Sequence, residues 1–156
     1  DKSYYPKLLE RLGREYERNA RPDKAIQVYE AVLKTNPESE SAIIIVNKLM
    51  DVDTRRGKFD RALERLKQLK LNESVPSEAE VAYNNLKAFV RKNATENHEI
   101  YRRKNRREYL QVAHDFYSAY LNLFLKVKDP RGETNEIRMY LADAKRDLGQ
   151  SAGSAE

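Results

Sequence analysis

The chain contains no cysteine, which excludes disulfide bonds, zinc–thiolate sites and cysteine nucleophiles. Proline and glycine are scarce, at five each, whereas charged residues make up 35% of the chain, so the composition favours helices over disorder. The longest apolar run, Ala42 to Val46, is far shorter than the roughly 20 residues of a membrane-spanning helix. The first residue is Asp1 rather than Met, and no secretion signal follows it, so we expect a processed form or a piece of a longer protein.

The residue patterns of common catalytic sites are also missing. The sequence has no glycine-rich phosphate loop, no nucleophile elbow and no spaced pair of carboxylates. Its two histidines, His98 and His114, are sixteen residues apart and lack the spacing of metal ligands. We therefore expect no enzymatic activity, no catalytic residue, no metal and no cofactor.

The positive charge of the chain is concentrated in one short segment. The formal net charge is +5, and five of the six residues from Arg102 to Arg107 are basic. Outside this segment the remaining Lys and Arg residues are as numerous as the 25 Asp and Glu residues. Electrostatic attraction of a partner would therefore act at one place, the basic segment formed by Arg102, Arg103, Lys104, Arg106 and Arg107.

Apolar residues recur at helical spacing, and the alternation typical of strands is absent. Pro22 favours the start of a helix, whereas Pro37 and Gly57 interrupt the helical pattern. Residues 95–127 contain neither proline nor glycine, which predicts one long helix there. The sequence therefore predicts seven helices, at about Tyr4–Arg18, Pro22–Thr35, Ser39–Arg55, Phe59–Lys70, Ser77–Asn93, Thr95–Val127 and Glu133–Leu148.

One stretch near the start carries residues at the spacing of a helix–turn–helix repeat. The pattern reads L-x-x-L-G-x-x-Y, then A-x-x-x-Y, then Pro, and is formed by Leu9, Leu12, Gly13, Tyr16, Ala25, Tyr29 and Pro37. It resembles the tetratricopeptide repeat, which places large, small and chain-breaking residues in this order. A weaker second copy follows, in which Ala62 lies 37 residues after Ala25.

The resemblance implies an all-α fold, a right-handed α-solenoid of about three helix pairs with a C-terminal capping helix. It would form one domain over residues 3–148, with repeats at about 5–38, 43–76 and 77–130 and an insertion near 94–108. The capping helix would cover 133–148, and residues 149–156 would form a disordered tail. An irregular helical bundle without a groove is the alternative.

Proteins with this repeat bind other proteins along a concave groove, which is lined by the first helix of each pair. Carried over by position, that groove would contain Arg14, Arg18, Asn47, Arg55, Asn84, Arg91 and Lys92. A row of cations beside asparagines suits an extended acidic peptide, although a solvated helix face is the alternative. The resemblance thus implies a non-enzymatic scaffold for a protein or peptide partner, in a larger complex or a homo-oligomer.

The basic segment supports a second hypothesis, the binding of nucleic acid or of an anionic surface. No known nucleic-acid-binding motif accompanies it, so a projecting, water-exposed helix is the alternative. Residues 113–148 also resemble repeat modules of bacterial cell-envelope proteins, through Phe116-Tyr117-Ser118-Ala119-Tyr120 and Ile137-Arg138-Met139-Tyr140-Leu141. This resemblance favours the periplasm or cell envelope of a Gram-negative bacterium over the cytoplasm, and the compartment stays open.

Overall fold

The computed structural model describes residues 4–71, 79–124 and 132–153, and these ranges are helical apart from short connections. Within them there is no strand, so the predicted all-α fold is confirmed. Seven helices follow one another: α1 (Tyr5–Arg18), α2 (Pro22–Thr35), α3 (Glu40–Arg55), α4 (Phe59–Lys67), α5 (Glu80–Lys104), α6 (Arg107–Phe124) and α7 (Glu133–Gly153).

The helices form two compact units, Asp1–Leu86 and Lys87–Glu156, and the division falls within α5. In the first unit α1 packs against α2 and α3 against α4, and the first pair also packs against α3. In the second unit α6 packs against α7, and side chains of α5 form hydrogen bonds to both of them. The first unit therefore contains two successive helix pairs, as a helical repeat requires.

Local sequence explains where the helices of the first unit begin and end. Pro6 and Pro22 stand in the first turns of α1 and α2, where a missing N–H removes no intrahelical hydrogen bond. Ser39 caps α3, because its hydroxyl accepts a hydrogen bond from the backbone N–H of Ala42 at 3.1 Å. Gly57 connects α3 to α4 with a φ of +72°, which side chains other than glycine rarely adopt.

The two helix pairs fill their interiors with different residues. In the first pair a Cβ atom at Gly13 would lie 2.2 Å from Cε1 of Tyr29, so glycine leaves the room that the buried ring needs. At the equivalent positions of the second pair Met50 and Leu66 are both buried. Met50 is larger than the equivalent Gly13, and Leu66 is smaller than the equivalent Tyr29. The side-chain volume is therefore distributed differently between the two helices of each pair.

The apolar stripe of α6 forms much of the core of the second unit. Its buried residues are Leu110, Ala113, Phe116, Tyr117, Tyr120 and Phe124. The rings of Tyr120 and Phe124 meet edge to face, with centroids 5.2 Å apart. Ile137 and Ala144 of α7 are fully buried as well.

The predicted boundary between the fifth and sixth helices is wrong. α5 continues through Asn93 to Lys104, and α6 begins at Arg107 rather than at Thr95. The side chains of Asn93 and Asn97 fit inside α5 because each donates to the carbonyl oxygen four residues earlier, at 2.9 and 2.8 Å. Residues 94–108, expected as an insertion, are therefore the last turns of α5, the connection and the first residues of α6.

The connection turns at Asn105, whose φ is +51°. Asparagine tolerates this left-handed conformation better than most residues and often ends helices in this way. The sequence prediction relied on proline and glycine as helix breakers, so it missed a helix that ends at an asparagine.

Two further helix ends differ from their predicted positions. α4 ends at Lys67 rather than at Lys70, and α7 continues to Gly153 rather than ending at Leu148. Gly149 lies within α7, where its open surroundings and modest helix penalty leave the helix intact. The predicted start at Ser77 and the predicted end at Val127 lie outside the described residues.

Candidate functional site

Four of the residues predicted to bind a partner lie on α1 and α3, and we call them the polar face: Arg14, Arg18, Asn47 and Arg55. The three arginines are exposed, and each forms an ion pair with a carboxylate on its own helix. The shortest N–O distances are 2.9 Å from Arg14 to Glu10, 2.8 Å from Arg18 to Glu15 and 2.8 Å from Arg55 to Asp51. Glu10 is buried, whereas the pairs of Arg18 and Arg55 are exposed. Exposed pairs of this kind contribute only about 0.3–0.5 kcal/mol each, so they leave these two guanidinium groups available to another carboxylate.

A lysine beside Asn47 joins α3 to α1. The Nζ atom of Lys48 lies 3.1 Å from Oε2 of Glu17 and 5.6 Å from the centroid of the Tyr29 ring. Burial, together with the nearby Glu17 carboxylate, raises the pKa of Tyr29 well above its usual value. The carboxylate and the ring thus fix Lys48, which links the first helices of the two pairs.

Asn47 itself is half-buried, and its Oδ1 has no hydrogen-bond partner among the described residues. A buried acceptor without a donor costs about 1–3 kcal/mol. This oxygen is therefore an unsatisfied polar group within the polar face.

The described helices agree with one known protein family. Residues 6–49, which cover α1, α2 and most of α3, match the family model described as tetratricopeptide repeat. This part of the chain belongs to the tetratricopeptide repeat family. The match includes Arg14, Arg18 and Asn47, and it confirms the predicted repeat. Curated proteins and solved structures give no match to the chain.

Arg91 lies outside the matched repeat, and its guanidinium group forms ion pairs within the fold. On α5 its Nη atoms lie 3.3 Å from Oε1 of Glu133 and 2.8 Å from Oε2 of Glu136, both on α7. The hydroxyl of Tyr140 donates to Glu136 at 2.6 Å, and that of Tyr120 donates to Glu133 at 3.2 Å. Arg91 therefore holds α5 to α7 through carboxylates that also accept hydrogen bonds from tyrosines.

The remaining two predicted groove residues, Asn84 and Lys92, are exposed on α5. Lys92 lies 3.9 Å from Glu96 on the same helix, at the limit of an ion pair. Exposure leaves both side chains accessible and identifies no ligand for them.

The basic segment occupies the corner between α5 and α6. Arg102, Arg103 and Lys104 form the last turn of α5, where cations interact favourably with the helix dipole. Arg106 pairs with Glu108, and Arg107 donates to the carbonyl oxygen of Leu148 at 3.0 Å. Lys104 and Arg106 also lie 5.8 and 5.7 Å from the Tyr109 ring centroid, so most of the segment has a role within the fold.

A buried ion cluster of the first unit escaped the sequence analysis. Asp53 replaces the repeat tyrosine in the second pair and is buried, and its Oδ2 accepts a hydrogen bond from Nε of Arg65 at 3.3 Å. Nη1 of the same arginine donates to Glu30 at 2.8 Å, which connects α4 to both α3 and α2. The only sequence signal was the acidic residue at an apolar repeat position, because no helical spacing relates these three residues.

His98 is a buried ionisable ring of the second unit, with 2% of its surface exposed. Its Nδ1 lies 3.0 Å from the hydroxyl of Tyr117, whereas its Nε2 has no hydrogen-bond partner in the ranges described. Burial, assisted by the charge of Arg102, lowers the pKa of His98, so the ring is neutral at pH 7. Nowhere in the described ranges do three His, Asp or Glu residues converge as metal ligands. Within the same ranges no helix has the length and apolar character to cross a membrane.

Proposed function

We propose that the protein is a non-enzymatic interaction scaffold that binds an acidic segment of a partner protein through the polar face. Tetratricopeptide repeats generally mediate protein–protein interactions, and the matched range contains three of the four residues concerned. The observation that carries the proposal is that the arginines of the polar face are exposed and that, among the described residues, each forms an ion pair only along its own helix.

The energetics favour exchange of these pairs for contacts with a partner. A surface pair along one helix contributes about 0.3–0.5 kcal/mol, whereas a hydrogen bond to a charged group at a desolvated interface contributes about 1.5–3 kcal/mol. Guanidinium groups also donate bidentate hydrogen bonds to carboxylates, and an acidic peptide supplies such carboxylates. Arg18 and Arg55 occupy equivalent positions in successive helix pairs, so one extended segment would contact both.

Asn47, on α3 with Arg55, would provide a further polar contact. Rotation of its amide about χ2 would bring the unsatisfied Oδ1 to the surface, where a backbone N–H of an extended peptide would satisfy it. Backbone contacts of this kind hold a peptide without selecting its side chains, and the arginines would add the selectivity for acidic residues.

Binding of labelled acidic, neutral and basic peptides of equal length, measured by fluorescence anisotropy, tests this proposal. We expect binding of the acidic set alone, and we expect the double variant Arg18→Glu/Arg55→Glu to weaken it by about tenfold or more. Asn47→Ala should weaken all bound peptides to a similar extent, because it removes a contact to the backbone.

The matched control is the double variant Lys24→Glu/Lys58→Glu, which changes the net charge equally at exposed residues of the same unit. We expect the control to retain most of the affinity, because Lys24 lies on α2 and Lys58 between α3 and α4, whereas the polar face lies on α1 and α3. Equal loss in the two double variants would show that only the net charge matters, and unchanged binding in both would exclude the polar face as the site.

The alternative is a nucleic-acid or anionic-surface binder that uses the basic segment. The observation in its favour is Arg103, which is exposed and has no ion-pair partner among the described residues. A duplex or anionic vesicle bound through this segment would be released steeply as salt concentration rises. The variant Arg103→Glu/Lys104→Glu should then abolish binding, whereas Arg18→Glu/Arg55→Glu should not.

A role within a cell-envelope assembly also stays a proposal, and it rests on the likeness of residues 113–148 alone. Fractionation of the source cells tests it, because the native protein should then occur with the periplasm or envelope and not with the cytoplasm.

A further inference from the structure

A buried hydroxyl group of the first unit lies close to a carboxylate that it does not bond. Tyr29 is 2% exposed, and its hydroxyl has no hydrogen-bond partner among the described residues. Its ring packs against α1 at Gly13, where an added Cβ would lie 2.7 Å from Cζ, the carbon that carries the hydroxyl. Glu17 lies one turn further along the same side of α1, and its carboxylate is close enough to raise the pKa of Tyr29. The hydroxyl is therefore an unused donor within reach of Glu17.

The Glu17 carboxylate is instead occupied by a lysine of α3. Its Oε2 accepts a hydrogen bond from Nζ of Lys48 at 3.1 Å, and the same Nζ lies 5.6 Å from the centroid of the Tyr29 ring. The side chains of Lys48 and Glu17 are 33% and 42% exposed, so solvent reaches both and weakens their attraction. The carboxylate thus has two donors beside it, one charged and partly exposed, the other buried and unsatisfied.

Lys48 lies on the same side of α3 as Arg55 of the polar face. The two residues are seven positions apart, which is two helical turns or about 10 Å along the axis. An extended segment covers that distance with about three residues. A partner segment bound at Arg55 would therefore bring a carboxylate three residues away to Lys48.

We propose that Lys48 is a further peptide-binding residue beside the polar face, and that Glu17 releases it by moving to the Tyr29 hydroxyl. This inference rests on the acidic-segment function proposed above. In the bound chain the Lys48 ammonium donates to a carboxylate of the partner, and Glu17 accepts a hydrogen bond from Tyr29. The exchange satisfies a buried donor that the free chain leaves unsatisfied, which offsets the loss of the pair between Glu17 and Lys48.

Urea unfolding of the free chain tests the sharing of Glu17 without any peptide. Lys48→Met removes the ammonium and keeps an apolar stem over the Tyr29 ring, so Glu17 should then bond the hydroxyl. We expect Tyr29→Phe to lower the urea midpoint by about 0.5 M in the Lys48→Met background. In the unmodified chain Tyr29→Phe should leave the midpoint unchanged or raise it, because the hydroxyl has no partner there. Equal effects in the two backgrounds would overturn the exchange.

Two peptides of equal length and charge test the role of Lys48 in binding. Each carries two glutamates in a neutral sequence, three residues apart in one peptide and adjacent in the other. We expect the spaced peptide to bind more tightly by fluorescence anisotropy, and Lys48→Met to weaken it about fivefold and abolish the preference. Tyr29→Phe should weaken the spaced peptide about threefold in the unmodified chain and have no effect in the Lys48→Met background.

The matched controls remove the same groups at other positions of the first helix pair. Lys24→Met neutralises an exposed lysine on α2, and Tyr16→Phe removes the hydroxyl of a half-buried tyrosine on α1. Both should leave the affinity and the spacing preference unchanged, and an equal loss in these controls would overturn the proposal.

The remaining outcomes separate this inference from the proposed function. Binding that depends on Arg18 and Arg55 but not on Lys48 would overturn this inference alone. Loss with Lys48→Met but not with Tyr29→Phe would overturn the release step, because Lys48 would then keep Glu17 while it binds the peptide. A chain that binds neither peptide would overturn the inference together with the proposed function.

Discussion

Replacing Gly13 with alanine tests whether the first helix pair is held by the close approach of α1 to a tyrosine ring. An added Cβ would lie 2.2 Å from Cε1, 2.7 Å from Cζ and 2.8 Å from Cδ1 of Tyr29. The ring is 2% exposed and packed within the pair, so it cannot swing into solvent to make room. The helices must therefore separate, or the ring must leave its favoured position.

Two effects with opposite signs determine the magnitude of the Gly13→Ala change. Overpacking in a core costs about 1–3 kcal/mol, and three sub-van-der-Waals contacts place this site in the upper part of that range. Alanine favours the helix over glycine by about 1 kcal/mol. We therefore expect a net loss of about 1–2 kcal/mol in the free energy of unfolding, or about 2–8 °C in Tm.

Urea unfolding followed by circular dichroism measures this loss, and hydrogen exchange shows whether it is confined to α1 and α2. Gly149→Ala is the control, because a Cβ there contacts nothing within 4 Å and the helix gain alone should appear. Tyr29→Leu should partly rescue Gly13→Ala, with a coupling of at least about 0.5 kcal/mol between the two sites. A Gly13→Ala protein that is as stable as the original, or more so, would refute the role given to this contact.

Three further changes test other parts of the structure. Burial lowers the pKa of His98, so its contribution to the free energy of unfolding should be fully present above the unfolded pKa of about 6.5 and should be lost as the pH falls below that value. His98→Gln should flatten this pH dependence in unfolding curves at pH 7.5 and 5.5. Arg65→Met should cost up to about 3–5 kcal/mol, because it leaves the buried Asp53 carboxylate with only the Arg61 guanidinium at 4.0 Å, and Asp53→Asn should recover part of that loss in urea unfolding. Arg91→Met should speed amide exchange in α7 while leaving α1–α4 unchanged, and uniform exchange in both units would contradict its bridging role.

The helices of the first unit could be predicted from the sequence because their limits depend on local residues. Pro22, Ser39 and Gly57 act through backbone geometry or capping within a few positions, and the predicted starts of α2, α3 and α4 agree with the structure to within one residue. The end of α5 before Asn105 was not predicted, because asparagine indicates a left-handed residue at a helix end less strongly than glycine does. The run of cations before it was a usable indication, since positive charge favours the C-terminal turn of a helix.

The candidate site was only partly predictable, because it depends on which helices meet. Repeat spacing placed Arg14, Arg18 and Arg55 on exposed positions, and the structure agrees. Spacing could not show that Arg91 is engaged by α7, since its carboxylate partners lie more than 40 residues away in sequence.

The affinity of an acidic peptide for two charge-matched variants, measured at physiological salt, tests the central claim most directly. We predict that Arg18→Glu/Arg55→Glu loses about tenfold or more in affinity, whereas Lys24→Glu/Lys58→Glu stays close to the unmodified protein. Equal affinities in the two variants would contradict the claim that the polar face of the repeat selects an acidic partner.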